Sequence, residues 1–116
     1  IPGIVLESGR PQMVFGMMGG PMQPQGHLQL MDRMITHKLN PQAACDAPRW
    51  QVIGNGKVIV ESSFPKKIVQ ELSGRGHDIS IEKNEILFGG AQVIQKITGG
   101  FVAGSDPRKE GCAAGF

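Results

Sequence analysis

The sequence lacks the features by which proteins bind nucleic acid. Its net charge is only +2, and its 12 basic residues are scattered along the chain and form no stripe. It contains one Trp, five Phe and no Tyr, so few aromatic side chains are available to stack on bases. A nucleic-acid surface needs clustered positive charge, and single strands also need aromatic platforms. The composition therefore argues against nucleic acid as a partner.

Long apolar runs and cysteines are also scarce. No apolar run approaches the roughly 20 residues of a membrane-spanning helix, and no segment has the layout of a signal peptide. Cys45 and Cys112 lie in no CxxC motif, and no His/Cys cluster has metal-ligand spacing. We therefore expect no membrane partner, no metal and no cofactor. The two cysteines are either free thiols or a disulfide; free thiols are favoured, and they point to a cytoplasmic location.

Glycine, by contrast, is abundant, with 17 among 116 residues, beside 40% apolar and 19% charged residues. That mixture is typical of one ordered, loop-rich globular domain, and the length is sufficient to bury a core. Because the first residues lead directly into a strand pattern, we expect residues 1–116 to be a piece of a longer precursor.

Turn signals and apolar spacings divide the chain into hairpins and helices. Asn55-Gly56 between β-branched runs is a strong hairpin signal, because type I′ turns need positive φ. Apolar residues at spacings of three and four predict helices, with Asn40 and either Ser62 or Ser63 as N-caps. The predicted hairpins are 4–7 with 12–17, 50–53 with 57–60, and 91–97 with 101–104. A further strand is predicted over 77–81 and helices over 27–36, 41–47 and 65–72. The apolar face of the first helix is predicted to be Leu28, Met31, Met34 and Ile35. The fold class is therefore α+β, with helices packed on antiparallel hairpins.

The strand that precedes Gly19 carries apolar residues on both of its faces, over residues 13–18. A strand buried on both sides in this way is typical of one half of a layered sandwich. The chain alone should therefore show an exposed apolar face or unpaired sheet edges, which other segments of the precursor cover.

Three stretches occur in an order and at a spacing that resemble one family. They are Phe-Gly-Met-Met-Gly-Gly at 15–20, Asn-Pro-Gln-Ala-Ala-Cys-Asp-Ala-Pro-Arg-Trp at 40–50, and Gly-Ser-Asp-Pro-Arg at 104–108 followed by Ala-Ala-Gly-Phe at 113–116. Together they are similar to the small subunit of gamma-glutamyltranspeptidases and related acylases, which commonly shows G-S-P-G-G-S, N-x-x-E-A-x-x-A-P-R-[FW] and A-S-D-P-R. The resemblance covers essentially the whole chain, as the C-terminal part of that catalytic subunit.

The resemblance implies an N-terminal nucleophile hydrolase with an αββα sandwich. In that family an inactive precursor cleaves itself, and a Thr becomes the new N-terminus of the small subunit. This Thr attacks a gamma-glutamyl amide with its own amino group as base, and water or an acceptor amine resolves the acyl-enzyme. Thr36 and Thr98, the only threonines here, lie in a predicted helix and a hairpin turn. The nucleophile is therefore expected upstream in the same precursor, and the chain alone is expected to be inactive.

Gly19 and Gly20 match the family's oxyanion-hole glycines. Two main-chain N–H groups converge on one oxygen only where the backbone turns sharply and lies bare, and glycine permits both. The residues alone leave a second interpretation, in which the pair is only a strand-to-helix turn. The resemblance favours the oxyanion role.

Around these glycines the sequence departs from the common family pattern. Met17-Met18 replaces Ser-Pro, and the following residues resemble a divergent branch of gamma-glutamyltransferases and cephalosporin acylases. We therefore expect a small-molecule substrate, either a gamma-glutamyl amide or another acyl amide such as a cephalosporin side chain. Met18 and Gln23 are the predicted substrate-binding residues. Met17 and Met22 are candidates for the acyl pocket, and Gln25 either binds substrate or forms hydrogen bonds at the helix entry.

The remaining polar residues are assigned structural roles. His27 is structural because the family's base is the nucleophile's own amine. Asp106 and Arg108 are expected to form salt bridges, and residues 46–49 to end a helix by packing. A rival interpretation is a stand-alone binding module without chemistry, since the chain holds no Ser/His/Asp or Cys/His constellation.

Overall fold

The computed structural model describes residues 1–115, which form two sheets with helices packed beside them. In chain order the elements are β1 (Pro2–Glu7), β2 (Arg10–Met18), α1 (Met22–Met31), a π-helical turn (Asp32–Thr36), α2 (Pro41–Asp46), β3 (Trp50–Val52), β4 (Val58–Glu61), α3 (Lys66–Gly74), β5 (Ile79–Glu82), a 3-10 turn (Glu85–Phe88), β6 (Gly90–Ile97) and β7 (Gly100–Ser105). The sheets have the orders β1-β2-β6-β7 and β3-β4-β5. The predicted α+β class is confirmed. Within residues 1–115 every helix is too short or too polar to cross a membrane.

Two of the three predicted hairpins build the four-stranded sheet, which is antiparallel throughout. Ser8 and Gly9 turn β1 into β2 with φ of +50° and +76°. β2 then pairs with β6, so that Met18 at the end of one strand lies opposite Gly90 at the start of the other. This register brings the Gly19-Gly20 turn beside the segment that leads into β6.

The third predicted hairpin, β3 with β4, belongs to the smaller sheet. Residues 54–56 between these strands all have positive φ, from +49° to +72°. β5 pairs parallel to β4, which departs from the predicted antiparallel architecture. The difference has a topological cause, because α3 follows β4 and returns the chain to the same end of the sheet before β5 begins.

The core lies between one face of the four-stranded sheet and the helices α1 and α2. Methionine is prominent there, and its flexible thioether fills irregular gaps between sheet and helix. The clustered buried side chains are Met13, Met17, Leu30, Met34, Ala44, Cys45, Ala91 and Val93. Cys45 and Cys112 are both free, the first buried and the second exposed, so the structure excludes the disulfide alternative.

Helix α1 begins at Met22, five residues before the predicted start at His27, and its buried face differs from the predicted one. Gly26 lies inside the helix, and glycine is needed there because a Cβ would collide with the Met17 sulfur of β2. Leu28 and Ile35 are 62% and 49% exposed, whereas Met34 is buried. Leu28 lies in the regular part of the helix, whose buried residues are Met22, Gly26, Gln29 and Leu30. Ile35 lies in the π-helical turn, which changes its angular position from that in a regular helix.

Helix α3 is less firmly anchored than α1 and α2, because it has no fully buried residue. Its N-cap is Pro65, which offers no side-chain cap, so the prediction of Ser62 or Ser63 was wrong. The serines instead belong to a turn closed by the Phe64 N–H, which donates to the Glu61 carbonyl at 2.9 Å.

The second face of the four-stranded sheet, which we call the open face, is apolar and exposed. Its residues Ile4, Val14, Ile94 and Phe101 are 62%, 41%, 45% and 73% exposed. They come from all four strands, and the pairing register puts them on the side away from α1 and α2. The exposed apolar face predicted for one half of a sandwich is therefore present.

Candidate active site

The Gly19-Gly20 turn connects the buried strand β2 to helix α1. Gly19 and Gly20 have φ of +135° and +55°, in the region that favours glycine. Two hydrogen bonds close the turn: the Met22 N–H donates to the Gly19 carbonyl at 3.1 Å, and the Gln23 N–H to the Gly20 carbonyl at 3.0 Å. Among the turn, loop and cap hydrogen bonds of residues 1–115, none has the Gly19 or Gly20 N–H as its donor.

The surroundings of the two glycines differ. A Cβ on Gly19 would lie 2.8 Å from the Gly89 Cα, so the first glycine is required by close contact between backbones. Gly89 itself has φ of +72°, and a Cβ there would collide with the Met18 carbonyl oxygen. Around Gly20 no atom lies within 4 Å of the Cβ position. Gly19 is thus packed from one side, while Gly20 borders open space.

A groove of about 480 Å³ runs beside this turn. Its lining residues are Met18, Gly19, Pro21, Gln51, Ile53, Ile59, Glu82, Ile86, Leu87 and Lys109. Met18, predicted to bind substrate, is 51% exposed and lines the groove. Gln23 lies at the start of α1, is half-buried and does not line it. Met17 and Met22 are 2% and 0% exposed, so their suggested place in the acyl pocket was wrong: the core encloses both.

Two glutamines of α1 form a ladder of hydrogen bonds with the free edge of β3. The Gln25 side chain accepts from the Val52 N–H at 2.8 Å and donates to the Val52 carbonyl at 3.1 Å. Gln29 does the same with Trp50, at 3.1 Å and 2.8 Å. The two amides therefore imitate a neighbouring strand and attach α1 to the smaller sheet. Of the two alternatives for Gln25, the hydrogen-bonding role is the one observed, although its partner is a strand.

Behind the turn lies a buried group of four charged side chains, Arg49, Arg108, Glu61 and Asp106, which we call the arginine–carboxylate cluster. Arg49 is 0% and Asp106 1% exposed, and the Arg49 Nη2 lies 2.5 Å from the Asp106 Oδ2. That oxygen also accepts from the Ala91 N–H at 2.8 Å. The Arg49 Nη1 donates to the Phe88 carbonyl at 3.0 Å, so one arginine joins the third motif to the segment before β6.

The second half of the cluster is the pair of Arg108 and Glu61. The Arg108 guanidinium donates to both Glu61 carboxylate oxygens, and its Nη1 also reaches the Asp106 Oδ1 at 3.1 Å. It further donates to the carbonyls of Cys45 and Ala47 at 2.9 Å and 3.2 Å, which lie at the end of α2. The predicted salt bridges of Asp106 and Arg108 are thus confirmed, and Arg49 in the 46–49 segment is the partner of Asp106.

The charges of the cluster also shift the pKa of its member Asp106 and of the neighbouring Arg33. Burial alone would raise the pKa of Asp106, but the Arg49 charge and the N–H donors of Arg108 and Ala91 hold that pKa below its ordinary value. Burial, reinforced by the nearby positive charges of Arg49 and Arg108, lowers the pKa of Arg33 to about 10. Arg33 still donates to the Ala44, Ala47 and Pro48 carbonyls and so caps the end of α2.

His27 has a packing role, as predicted. Its Nε2 lies 2.9 Å from the Ile1 carbonyl oxygen, and its ring meets Phe15 edge-on with centroids 4.8 Å apart. Three residues near the site were not predicted from the sequence: Gln29, Glu61 and Lys109. Gln25, Gln29 and Arg33 recur every four residues, a visible sign of one polar helix face that contacts other elements. No comparable local signal marks Glu61 or Lys109.

A model of the gamma-glutamyltranspeptidase family matches residues 1–116. The glutathione hydrolase-like YwrD proenzyme of Bacillus subtilis is 34% identical over 124 aligned residues, which cover 100% of this chain and 23% of that protein. The oxamate amidohydrolase proenzyme of Klebsiella pneumoniae is 29% identical, over 90% of this chain and 21% of its own length.

Among solved structures, the crystal structure of a cephalosporin acylase from Bacillus halodurans superposes with a TM-score of 0.93 at 47% identity, covering 97% of this chain and 22% of that one. The chain thus spans less than a quarter of the length of each of these relatives. The expected fold, an α+β portion of an αββα N-terminal nucleophile hydrolase sandwich, is confirmed. Because the family model matches the sequence over its full length, the chain belongs to the gamma-glutamyltranspeptidase family.

Proposed function

We propose that the whole protein that contains this chain transfers the acyl group of a gamma-glutamyl amide to water or to an acceptor amine. Residues 1–116 form the C-terminal portion of its catalytic subunit, and an N-terminal Thr outside this chain is the nucleophile. The observation that carries the proposal is the Gly19-Gly20 turn, which follows the end of β2. Among the turn, loop and cap hydrogen bonds of residues 1–115, neither glycine N–H is a donor. Membership in the gamma-glutamyltranspeptidase family supports the same chemistry.

The role of the turn follows from the charge that the reaction creates. Attack of the Thr hydroxyl on the amide carbonyl turns its oxygen into an oxyanion, while the Thr amino group accepts the hydroxyl proton. The leaving amine takes that proton, and water or an acceptor amine later attacks the ester. The Gly19 and Gly20 N–H groups donate to the oxyanion, and they favour the transition state because that charge is absent from the substrate.

A second candidate is an acylase of the same mechanism that acts on a non-glutamyl amide. The groove beside the turn favours it, because Met18, Ile86 and Leu87 give this groove a largely apolar wall. An acyl chain with methylene groups would bury apolar surface there. The name of the Bacillus halodurans structure, a cephalosporin acylase, supports an acyl group of this kind. In both cases Met18 contacts the acyl chain, and Gln23 is a substrate-binding residue proposed from its nearness to the turn.

We propose that the upstream part of the same precursor packs on the open face. That face presents Ile4, Val14, Ile94 and Phe101 to solvent, and its burial would add to the stability of the assembled protein. The relatives are longer proteins, two of them named proenzymes, which supports a self-cleaving precursor over a stand-alone binding module. Free Cys45 and Cys112 favour a cytoplasmic location, which fractionation of cells can test.

The test uses the whole protein, produced from its full coding sequence and assayed with gamma-glutamyl-p-nitroanilide. Replacing Gly20 by Val is expected to lower kcat about a hundredfold or more, with a smaller effect on KM, because an oxyanion donor acts on developing charge. Gly56→Val is the matched control, since Gly56 also has positive φ, +72° against +55°, and no atom within 4 Å of its Cβ position. The control adds the same backbone strain away from the groove.

If the Gly20→Val protein folds, matures and keeps near-normal turnover, the oxyanion role is wrong and the glycines serve only to form the turn. Turnover by residues 1–116 alone, surviving repurification, would contradict a nucleophile outside this chain. Hydrolysis of simple acyl anilides but not of gamma-glutamyl-p-nitroanilide would select the acylase candidate.

A further inference from the structure

The smaller sheet has a different cavity on each of its two faces. Gln51 and Ile59, a cross-strand pair of β3 and β4, line the groove beside the glycine turn. The neighbouring pair, Trp50 with Val60, points to the other side because successive residues of a strand alternate between the two faces. This second pair lines a separate space of about 440 Å³, which we call the α3 cavity. One layer of β-sheet therefore separates the α3 cavity from the groove.

The α3 cavity lies between the smaller sheet and the segment that contains helix α3. Phe64, just before the helix, and Leu72, in its second half, line the cavity from the helix side. Turns fix both ends of this segment: the Phe64 N–H donates to the Glu61 carbonyl at 2.9 Å, and the His77 N–H donates to the Leu72 carbonyl at 3.2 Å. The helix is thus held over the sheet at its two ends, although none of its residues is fully buried.

The side chains of the sheet are too short to fill the space beneath α3. Those that line it include the β-branched residues Val52, Val58, Val60 and Ile79. Apolar side chains that border an empty space have no neighbouring atoms on one side, so they lose dispersion contacts that an apolar ligand can restore.

The lining residues also indicate which class of molecule fits the α3 cavity. Trp50 and Phe64 supply aromatic surface, and His77 is the single ionisable side chain among the described residues that line the cavity. A permanently charged ligand would lose its water there without gaining a counter-ion. The His77 imidazole offers one polar group that can form a hydrogen bond with a hydroxyl. The volume of about 440 Å³ is within the range of small-molecule sites.

We propose that the α3 cavity is a binding site for a small uncharged aromatic molecule that carries a hydroxyl group, such as a phenol or a naphthol. The aromatic ring packs between Trp50 on the sheet and Phe64 and Leu72 on the helix side, and the hydroxyl bonds to His77. A small molecule fits better than a further protein segment, because the sheet and the anchored α3 segment bound the cavity from opposite sides. The site goes beyond the proposed function, since it lies on the face of the sheet that points away from the groove.

Calorimetry of the whole processed protein with 2-naphthol tests the site. We expect a Kd below about 1 mM for 2-naphthol and binding at least about tenfold weaker for 2-naphthalenesulfonate, whose charge has no partner in the cavity. Val52→Phe places an aromatic ring at the cavity and should weaken 2-naphthol binding about tenfold or more. Ile53→Phe is the matched control, because Val52 and Ile53 are each 43% exposed and Ile53 lines the groove instead. His77→Phe should weaken 2-naphthol binding roughly three- to tenfold and leave naphthalene binding unchanged.

A second pair of variants on α3 decides the question if Val52→Phe does not fold. Leu72→Trp fills the cavity from the helix side, whereas Ile68→Trp adds the same ring at a position that is 43% exposed and does not line the cavity. Weaker binding in Leu72→Trp than in Ile68→Trp supports the inference. Equal affinities within both pairs, or a larger loss in Ile53→Phe than in Val52→Phe, would place 2-naphthol elsewhere and overturn it.

Two further outcomes would also overturn the inference. If the whole protein does not bind 2-naphthol, another segment of that protein occupies the cavity. If 2-naphthalenesulfonate binds as tightly as 2-naphthol, the ligand class is wrong. These measurements do not use turnover, so neither result affects the proposed function.

Discussion

The arginine–carboxylate cluster and the Gly19-Gly20 turn differ in whether their polar groups have hydrogen-bond partners within the protein. In the cluster, Arg49 and Arg108 donate to carboxylates and carbonyls on every side, and only the Arg49 Nε lacks a partner among residues 1–115. At the turn, two main-chain N–H groups have no turn or loop acceptor. Gly20 is exposed and Gly19 is half-buried, so water can satisfy these N–H groups until a ligand takes its place.

This contrast separates two kinds of importance. Both regions coincide with motifs that resemble those of the family. We expect the arginine–carboxylate cluster to contribute to stability and the Gly19-Gly20 turn to contribute to turnover. Changes in the cluster are therefore expected to lower the folded fraction, and changes in the turn to lower the rate of the folded molecules.

Asp106→Ala should have the largest effect on stability. It leaves the Arg49 charge buried without its carboxylate, a change that typically costs about 3–5 kcal/mol. Urea titration of the whole processed protein measures it. The control is Asp78→Ala, which removes a carboxylate that is 68% exposed and 4.0 Å from the Lys57 ammonium, a pair whose contribution is small. Equal midpoints for the two variants would contradict the structural role of the cluster.

We expect an intermediate effect on stability from the glutamine side chains that form hydrogen bonds with β3. Gln25 serves as the control for Gln29. Gln29→Leu removes the acceptor of the Trp50 N–H from a side chain that is 5% exposed, and should cost about 1–3 kcal/mol. Gln25→Leu makes the same change at Val52, where the bonds are exposed and water replaces the lost partner. Hydrogen exchange at the two amides measures both. Faster exchange at Val52 than at Trp50 after the matched changes would reverse this ranking.

The smallest expected effect is a difference in chemical reactivity between the Cys45 and Cys112 thiols. Burial, and then the negative charge of Asp106, raises the pKa of Cys45 to about 11, so this thiol stays protonated near neutral pH. Cys112 is exposed. Iodoacetamide at pH 8, followed by mass spectrometry of peptides, should label Cys112 first and Cys45 only after Asp106→Ala or urea loosens the cluster. Early labelling of Cys45 in the parent protein would show that the cluster does not exclude solvent.

Local signals in the sequence predicted the local structure well. Asn55-Gly56 predicted the β3–β4 hairpin, because few residues other than glycine and asparagine adopt positive φ there. The N-cap at Asn40 is also confirmed, since its side chain accepts the Ala43 N–H at 2.8 Å. The oxyanion assignment of Gly19 and Gly20 remains a prediction, to be decided by turnover.

The failures of the sequence analysis have tertiary causes. The sequence pattern starts the first helix after Gly26, and only the close contact with Met17 shows why a glycine stands inside the helix. The parallel pairing of β5 depends on where α3 carries the chain, which no local pattern encodes. Glu61 ends a short apolar strand and gives no sign of its partner Arg108, because that ion pair joins residues 47 positions apart.

The bond between Arg49 and Asp106, which spans 57 positions of the chain, also has a consequence for the order of folding. Such a contact forms only after a long loop has closed, and loop closure has an entropic cost before any bond repays it. We therefore expect it to be absent from the folding transition state, with φ-values near zero. Weakening it should then leave the folding rate almost unchanged and speed unfolding, so the cluster prolongs the lifetime of the native state.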